Sequence, residues 1–158
     1  MSEHLIDLAE EADTLRLGNA LAEGAQNGLV LYLSGDLGSG KTTVARGLIH
    51  ALGYRDRVKS PSYALVELYE LSRLNLYHFD FYRFKDESEW VSSGFRDYFG
   101  PDALCIVEWP ERAAGALAPA DLEVRLEFAG SGRRARLLAR TPAGEAWLAS
   151  ARSRYRSS

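Results

Sequence analysis

The sequence predicts an α/β protein: a mostly parallel central sheet flanked by helices, with a C-terminal β-hairpin. Three observations carry that prediction. Residues 28–34, Gly-Leu-Val-Leu-Tyr-Leu-Ser, form a short apolar run that leads into a glycine-rich turn and then a helical stretch, 42–52. Residues 103–107, Ala-Leu-Cys-Ile-Val, are continuously apolar, as in a strand buried on both faces. Segments 122–128 and 134–140 flank Gly130-Ser131-Gly132, which reads as a hairpin. Strands alternating with helical segments and then a hairpin define the class.

In chain order, residues 5–8 read as a short strand. A helix then starts at Asp13 or Thr14, its apolar stripe made by Leu15, Leu17, Leu21 and Ala25. Helix 42–52 follows the glycine turn, with Gly53 placed to end it. Residues 58–63 are a polar loop, and 64–71 and 74–79 are two further strands. Residues 86–98 read as one helix with acids in its first turn, where the helix dipole favours them. A terminal helix follows Pro142. No repeat, linker or boundary interrupts the 158 residues, so one domain spanning 1–158 is expected.

Composition narrows the classes. Apolar residues are 46% and charged residues 26%, globular values that argue against disorder. No run approaches the ~20 apolar residues of a membrane span, and Met1-Ser2-Glu3-His4 lacks the start of a secretory signal. Cys105 is the single cysteine, so no internal disulfide forms; it lies in an apolar strand, which suits an inert thiol. A cytoplasmic protein without membrane contact is the expectation. The net charge of −3 hides an imbalance: from Gly130 onward seven arginines face one acid, +6, against −9 for the rest. The basic C-terminal end, from about residue 141, reads as a solvated helix face and at most a docking surface.

The chemistry starts at Gly35-Asp36-Leu37-Gly38-Ser39-Gly40-Lys41-Thr42, which fits G-x-x-x-x-G-K-[ST]. Glycines let backbone N–H groups curl around an anion, Lys41 brings a mobile charge to the β- and γ-phosphates, and the Thr42 hydroxyl suits Mg²⁺. The bland alternative is a glycine-rich turn with an incidental lysine. The preceding strand and following helix favour the phosphate loop, because they aim a helix N-terminus at the phosphates. A single P-loop NTPase-like domain that binds a nucleoside triphosphate follows.

Such a loop needs an acidic partner at a neighbouring strand end. Two strands end in acids: 104–108 in Glu108 and 76–80 in Asp80. In a parallel sheet both ends share the edge where ligands collect. One carboxylate holds the metal and the other orients water; the residues alone leave open which does which. His78 shares a strand face with Asp80 and reads as a residue that positions a carboxylate. Arg83 suits either the charge of a transferred phosphate or an ion pair. Ser60 and Ser62, around Pro61, sit where a switch loop would sense the γ-phosphate.

These segments together resemble the bacterial TsaE family, the small ATPases needed for threonylcarbamoyladenosine in tRNA. The matching stretches are Gly35 to Thr43, Ser60-Pro61-Ser62-Tyr63, His78-Phe79-Asp80-Phe81-Tyr82-Arg83 and Val107-Glu108-Trp109-Pro110-Glu111. The likeness runs from about residue 14 to 140. It implies that Lys41 and the amides of 37–43, Thr43 included, hold the phosphates of ATP. It implies that Thr42 and Glu108 bind Mg²⁺, that Asp80 is essential beside them, and that Trp109 lies at the nucleotide. The implied partners are TsaB and TsaD, with tRNA involved indirectly. Ser62 stands where the family usually has threonine, and the hydroxyl survives. A small-molecule kinase and a non-catalytic nucleotide-responsive adaptor are the alternatives. A GTP switch is disfavoured, since no Asn begins an N-K-x-D. The base pocket has no segment of its own; the helix near Thr14 and the hairpin near Arg133 are candidate walls.

Overall fold

The computed structural model describes residues 2–85 and 87–158. Seven strands form one mixed sheet: β1 (Glu3–Leu8), β2 (Val30–Ser34), β3 (Val66–Glu70), β4 (Asn75–Asp80), β5 (Leu104–Glu108), β6 (Leu122–Ala129) and β7 (Gly132–Ala139). Their order is β1-β7-β6-β2-β5-β4-β3. The centre, β6-β2-β5-β4, is parallel; β3 and β7 run the other way, and β1 rejoins the majority direction. The helices are α1 (Glu11–Leu21), α2 (Lys41–Ala51), α3 (Glu87–Ser93) and α4 (Pro142–Ser157).

Side-chain alternation divides the core into two layers. On β5, Leu104 and Ile106 point to the face shared with Leu17, Leu21, Leu48 and Trp147 of α1, α2 and α4. Cys105 and Val107 point to the other face, against Phe79, Phe81 and Trp90 of α3. Aromatic rings fill that second layer, with Phe81 stacked on Phe84 at 4.6 Å between centroids. Glu108 continues the parity of Leu104 and Ile106, and His78 and Asp80 continue that of Leu76. All three polar side chains therefore leave the sheet on the α2 side.

Helices α1 and α2 lie almost backbone to backbone. A Cβ on Gly18 would reach Val44 O and stand 2.8 Å from Leu48 N, so only glycine lets the helices come this close. That contact seats Thr14 beside Gly40, the residue that starts α2 at φ 109°.

Several boundaries differ from expectation. Helix α1 starts at Glu11, since Glu10 N–H bonds the Asp13 carboxylate (3.1 Å) and sets the first turn earlier. Its buried stripe is Thr14, Leu17, Gly18 and Leu21; Leu15 is only half-buried, and Ala25 is buried beyond the helix end. The single helix expected over 86–98 is two pieces, α3 and a 3₁₀ turn at Phe95–Tyr98, broken by Gly94 at φ 77°; Asp86 lies outside the described residues. β3 is shorter than 64–71 because Leu65 has φ 71°, which no strand continues through. The hairpin is as expected, turning through Gly130-Ser131 between Ala129 and Gly132. Helix α4 follows Pro142, with the Thr141 hydroxyl capping Gly144 N–H at 3.0 Å.

Candidate functional site

Strand β2 ends at Ser34 and hands the chain to the glycine loop, whose last residue, Gly40, begins α2. The parallel registers Leu33↔Glu108 and Asp80↔Glu108 put both acids level with that loop, at the C-terminal edge of β2, β5 and β4. A cavity of about 430 Å³ opens there. Leu37, Gly38, Gly40, Lys41, Thr42 and Thr43 line one side, and Ser60, Ser62, Asp80, Tyr82, Arg83, Glu108 and Trp109 the other. Every segment singled out in the sequence thus meets in one place. His78 lies beneath it, behind Glu108.

The polar contacts are specific. Thr42 Oγ1 donates to the Glu108 carboxylate, 3.0 and 3.1 Å from its two oxygens. His78 Nε2 lies 2.7 Å from Glu108 Oε2, and both residues are buried. The carboxylate that His78 supports is therefore the one across the β4–β5 ladder, while Asp80 Oδ1 accepts from Tyr82 N–H at 2.9 Å. Lys41 is 5% exposed; its Nζ donates to Gly35 O (2.6 Å) and Asp36 O (2.9 Å) and sits 4.3 Å from the Trp109 ring centre.

Burial raises Asp80 above the ordinary aspartate range; the Tyr82 N–H opposes this and the Glu108 charge adds to it. Burial lowers Lys41, and Glu108 and Asp80 push it back up. Both groups sit in a weakly screened site where a charged ligand interacts strongly.

Trp109 adopts φ 58° and ψ 50°, a conformation that bulky side chains avoid and that costs about 1–3 kcal/mol. The cost holds the indole over Lys41 and against Tyr82, at 4.9 Å between centroids. Arg83 stacks on Tyr63 at 4.1 Å, and Tyr63 is 83% exposed at the mouth. The loop holding Ser60 and Ser62 reports directly to Asp80, since Leu65 O accepts from Asp80 N–H at 3.0 Å.

Beside the other flank of the loop lies a second cavity, about 260 Å³, walled by Leu8, Glu10, Thr14, Ser131, Gly132 and Arg133 among others. Arg133 donates to Gly38 O at 3.0 Å and stacks on Phe128. Tyr82 is the lining residue the sequence reading left out, although its place between Asp80 and Arg83 was a signal. Arg133 was expected only as a wall of the base pocket; its bond to Gly38 O follows from the hairpin packing against the loop.

The sequence profile of the family described as "Threonylcarbamoyl adenosine biosynthesis protein TsaE" matches residues 8–136. The chain belongs to the TsaE family. A TsaE of Haemophilus influenzae, a "tRNA threonylcarbamoyladenosine biosynthesis protein", is 39% identical over 143 residues, covering 87% of this chain and 90% of the relative. The Bacillus subtilis protein of the same name is 37% identical over 122 residues, with 77% and 76% covered. The crystal structure of Bacillus subtilis YdiB superposes with a TM-score of 0.83 at 27% identity, over 96% of this chain and 95% of that one. The α/β fold seen here is therefore shared along the full length of a solved structure.

The donor set suits the implied ligands. A hydroxyl and two carboxylates are hard oxygen donors, as Mg²⁺ requires. No group of three or more His, Cys, Asp or Glu side chains among the described residues forms a metal cage. Mg²⁺ in such sites needs none, because it is held by one or two carboxylates together with substrate phosphates. Among the described residues no helix is long and apolar enough to cross a membrane.

Proposed function

We propose that this TsaE-family chain binds ATP with Mg²⁺, hydrolyses it, and serves threonylcarbamoyladenosine formation on tRNA together with a TsaB–TsaD complex. The observation that carries the proposal is the convergence of Lys41, Thr42, Glu108 and Asp80 on one cavity at the sheet edge. The names of the relatives supply the pathway.

Lys41 and the backbone amides of 37–43 grip the phosphates. Thr42 and Glu108, already joined by a hydrogen bond, are the pair that would hold Mg²⁺. Mg²⁺ held by this pair would supply a Lewis acid that offsets the negative charge developing on the phosphates. Asp80 faces the same cavity on the neighbouring strand and orients the attacking water. Its raised proton affinity suits a base. Arg83, at the rim, offsets charge on the γ-phosphoryl group. Ser60 and Ser62 sense that group, and the Leu65–Asp80 bond carries the message inward. The cavity beside Thr14 and Arg133 has the size and polar edges for the adenine ring. Exposed Leu37 and Tyr63 at the mouth support a partner that covers the site during turnover.

The test is Mg-dependent ATP hydrolysis with and without TsaB–TsaD. Turnover should be low alone and rise with the pair, and Lys41→Ala or Glu108→Gln should abolish the rise. Unchanged turnover in both variants would remove the site assignment, and a phosphorylated metabolite among the products would favour a kinase.

A further inference from the structure

We propose that His78 is a positioning residue: its imidazole, held as the Nε2–H tautomer, aims the Glu108 carboxylate at Thr42 and the cavity. The proposal rests on the ATP–Mg²⁺ reading above for its consequence, but the contact itself stands on geometry.

Glu108 is 2% exposed and His78 fully buried, with 2.7 Å between Nε2 and Oε2. An ionised carboxylate only accepts, so the nitrogen facing it carries the hydrogen. His78 Nδ1 is buried and has no hydrogen-bond partner among the described residues. Nδ1 makes no competing bond, so the contact with Glu108 alone sets the tautomer. A glutamate side chain has three rotatable bonds, and Glu108 must keep both oxygens near Thr42 Oγ1 (3.0 and 3.1 Å). Two anchors from different elements, β4 and α2, hold it there. Thr42 belongs to the set that meets the ligand; His78 lies behind the carboxylate, as outer-shell partners of metal ligands do. The backbone supports the same division. His78 pairs with Ile106 in the ladder, two residues before Asp80↔Glu108 and on the same sheet face, so its ring reaches Glu108 from within the protein.

Three variants separate positioning from plain structural support. His78→Phe keeps a flat ring without a donor, His78→Ala removes both, and His78→Gln keeps an N–H within similar reach. With the melting temperature recorded for each, His78→Phe should raise the Mg²⁺ concentration needed for half-maximal turnover and lower kcat by about 10–100-fold. KM for ATP should change little, and His78→Gln should recover most of the loss. In the wild-type chain without nucleotide or metal, ring ¹⁵N shifts at neutral pH should show a protonated Nε2 and a bare Nδ1, and Glu108→Ala should perturb them. A His78→Phe protein with wild-type kcat and Mg²⁺ requirement, or a His78 protonated at Nδ1, overturns the proposal. Because the ¹⁵N signature needs no turnover, a wild-type chain that hydrolyses nothing removes the ATPase reading while the spectrum still decides the contact.

Discussion

Substituting Gly18 by alanine tests whether the glycine loop at Gly35–Thr42 depends on helix packing. The added Cβ would stand 2.8 Å from Leu48 N, where ordinary contact begins at 3.4 Å, and would also press on Val44 O. Both are backbone atoms of α2, so no side chain can rotate away and the helices must part by at least about half an ångström. Overpacking of this kind costs about 1–3 kcal/mol. Alanine's better helix propensity returns about 0.5–1 kcal/mol. The net is about 0–2.5 kcal/mol of destabilisation, and the centre of that range lowers Tm by roughly 3–5 °C for a 158-residue chain. Because α2 begins at Lys41 and Thr14 sits against Gly40, the displacement reaches the phosphate loop. Nucleotide affinity should fall as well. Calorimetry gives the first quantity and titration with ATP the second. A higher Tm in Gly18→Ala would refute the claim that this close approach holds the two helices in place.

Other expectations follow from single contacts. Asp80→Asn should raise Tm at neutral pH while abolishing turnover. Burial raises the folded-state value of Asp80, so its contribution to stability is full below the ordinary aspartate value of about 4 and is lost as pH rises through the raised one. The variant's advantage should therefore vanish in acid, and a Tm gain that persists there would contradict the cause given. Thr141→Ala should cost about 1–2 kcal/mol by denaturant unfolding, because the hydroxyl caps Gly144 N–H and donates to Asp121 at 2.8 Å; a loss below about 0.3 kcal/mol would leave the cap without importance. Cys105, pushed up to about 12 by burial, should resist thiol reagents at pH 8 in the native protein and react once unfolded. Rapid native labelling would show that the strand opens locally.

What the sequence alone determined is the set of features that depend on near neighbours. The glycine loop between a strand and a helix announces its own geometry, because φ-permissive residues and a helix start are local properties. The continuous apolar run at 103–107 marks a strand buried on both faces, and Pro142 after a threonine marks the start of α4. The helix expected over 86–98 is interrupted for a local reason too: Gly94 at φ 77° breaks it in two, and glycine is tolerated in helices often enough to hide that. The tertiary structure decided the relations between distant residues. Asp80 and His78 are two apart on one strand, yet His78 serves Glu108, because the β4–β5 register brings a residue 30 positions away within 2.7 Å. Arg133 joins the phosphate loop because β7 turns back beside it. The strain at Trp109 and Leu65 was likewise invisible, since nothing in either residue type asks for a left-handed backbone. Side-chain chemistry is written along the chain, whereas which carboxylate meets which donor is fixed only when strands register and helices close on the sheet.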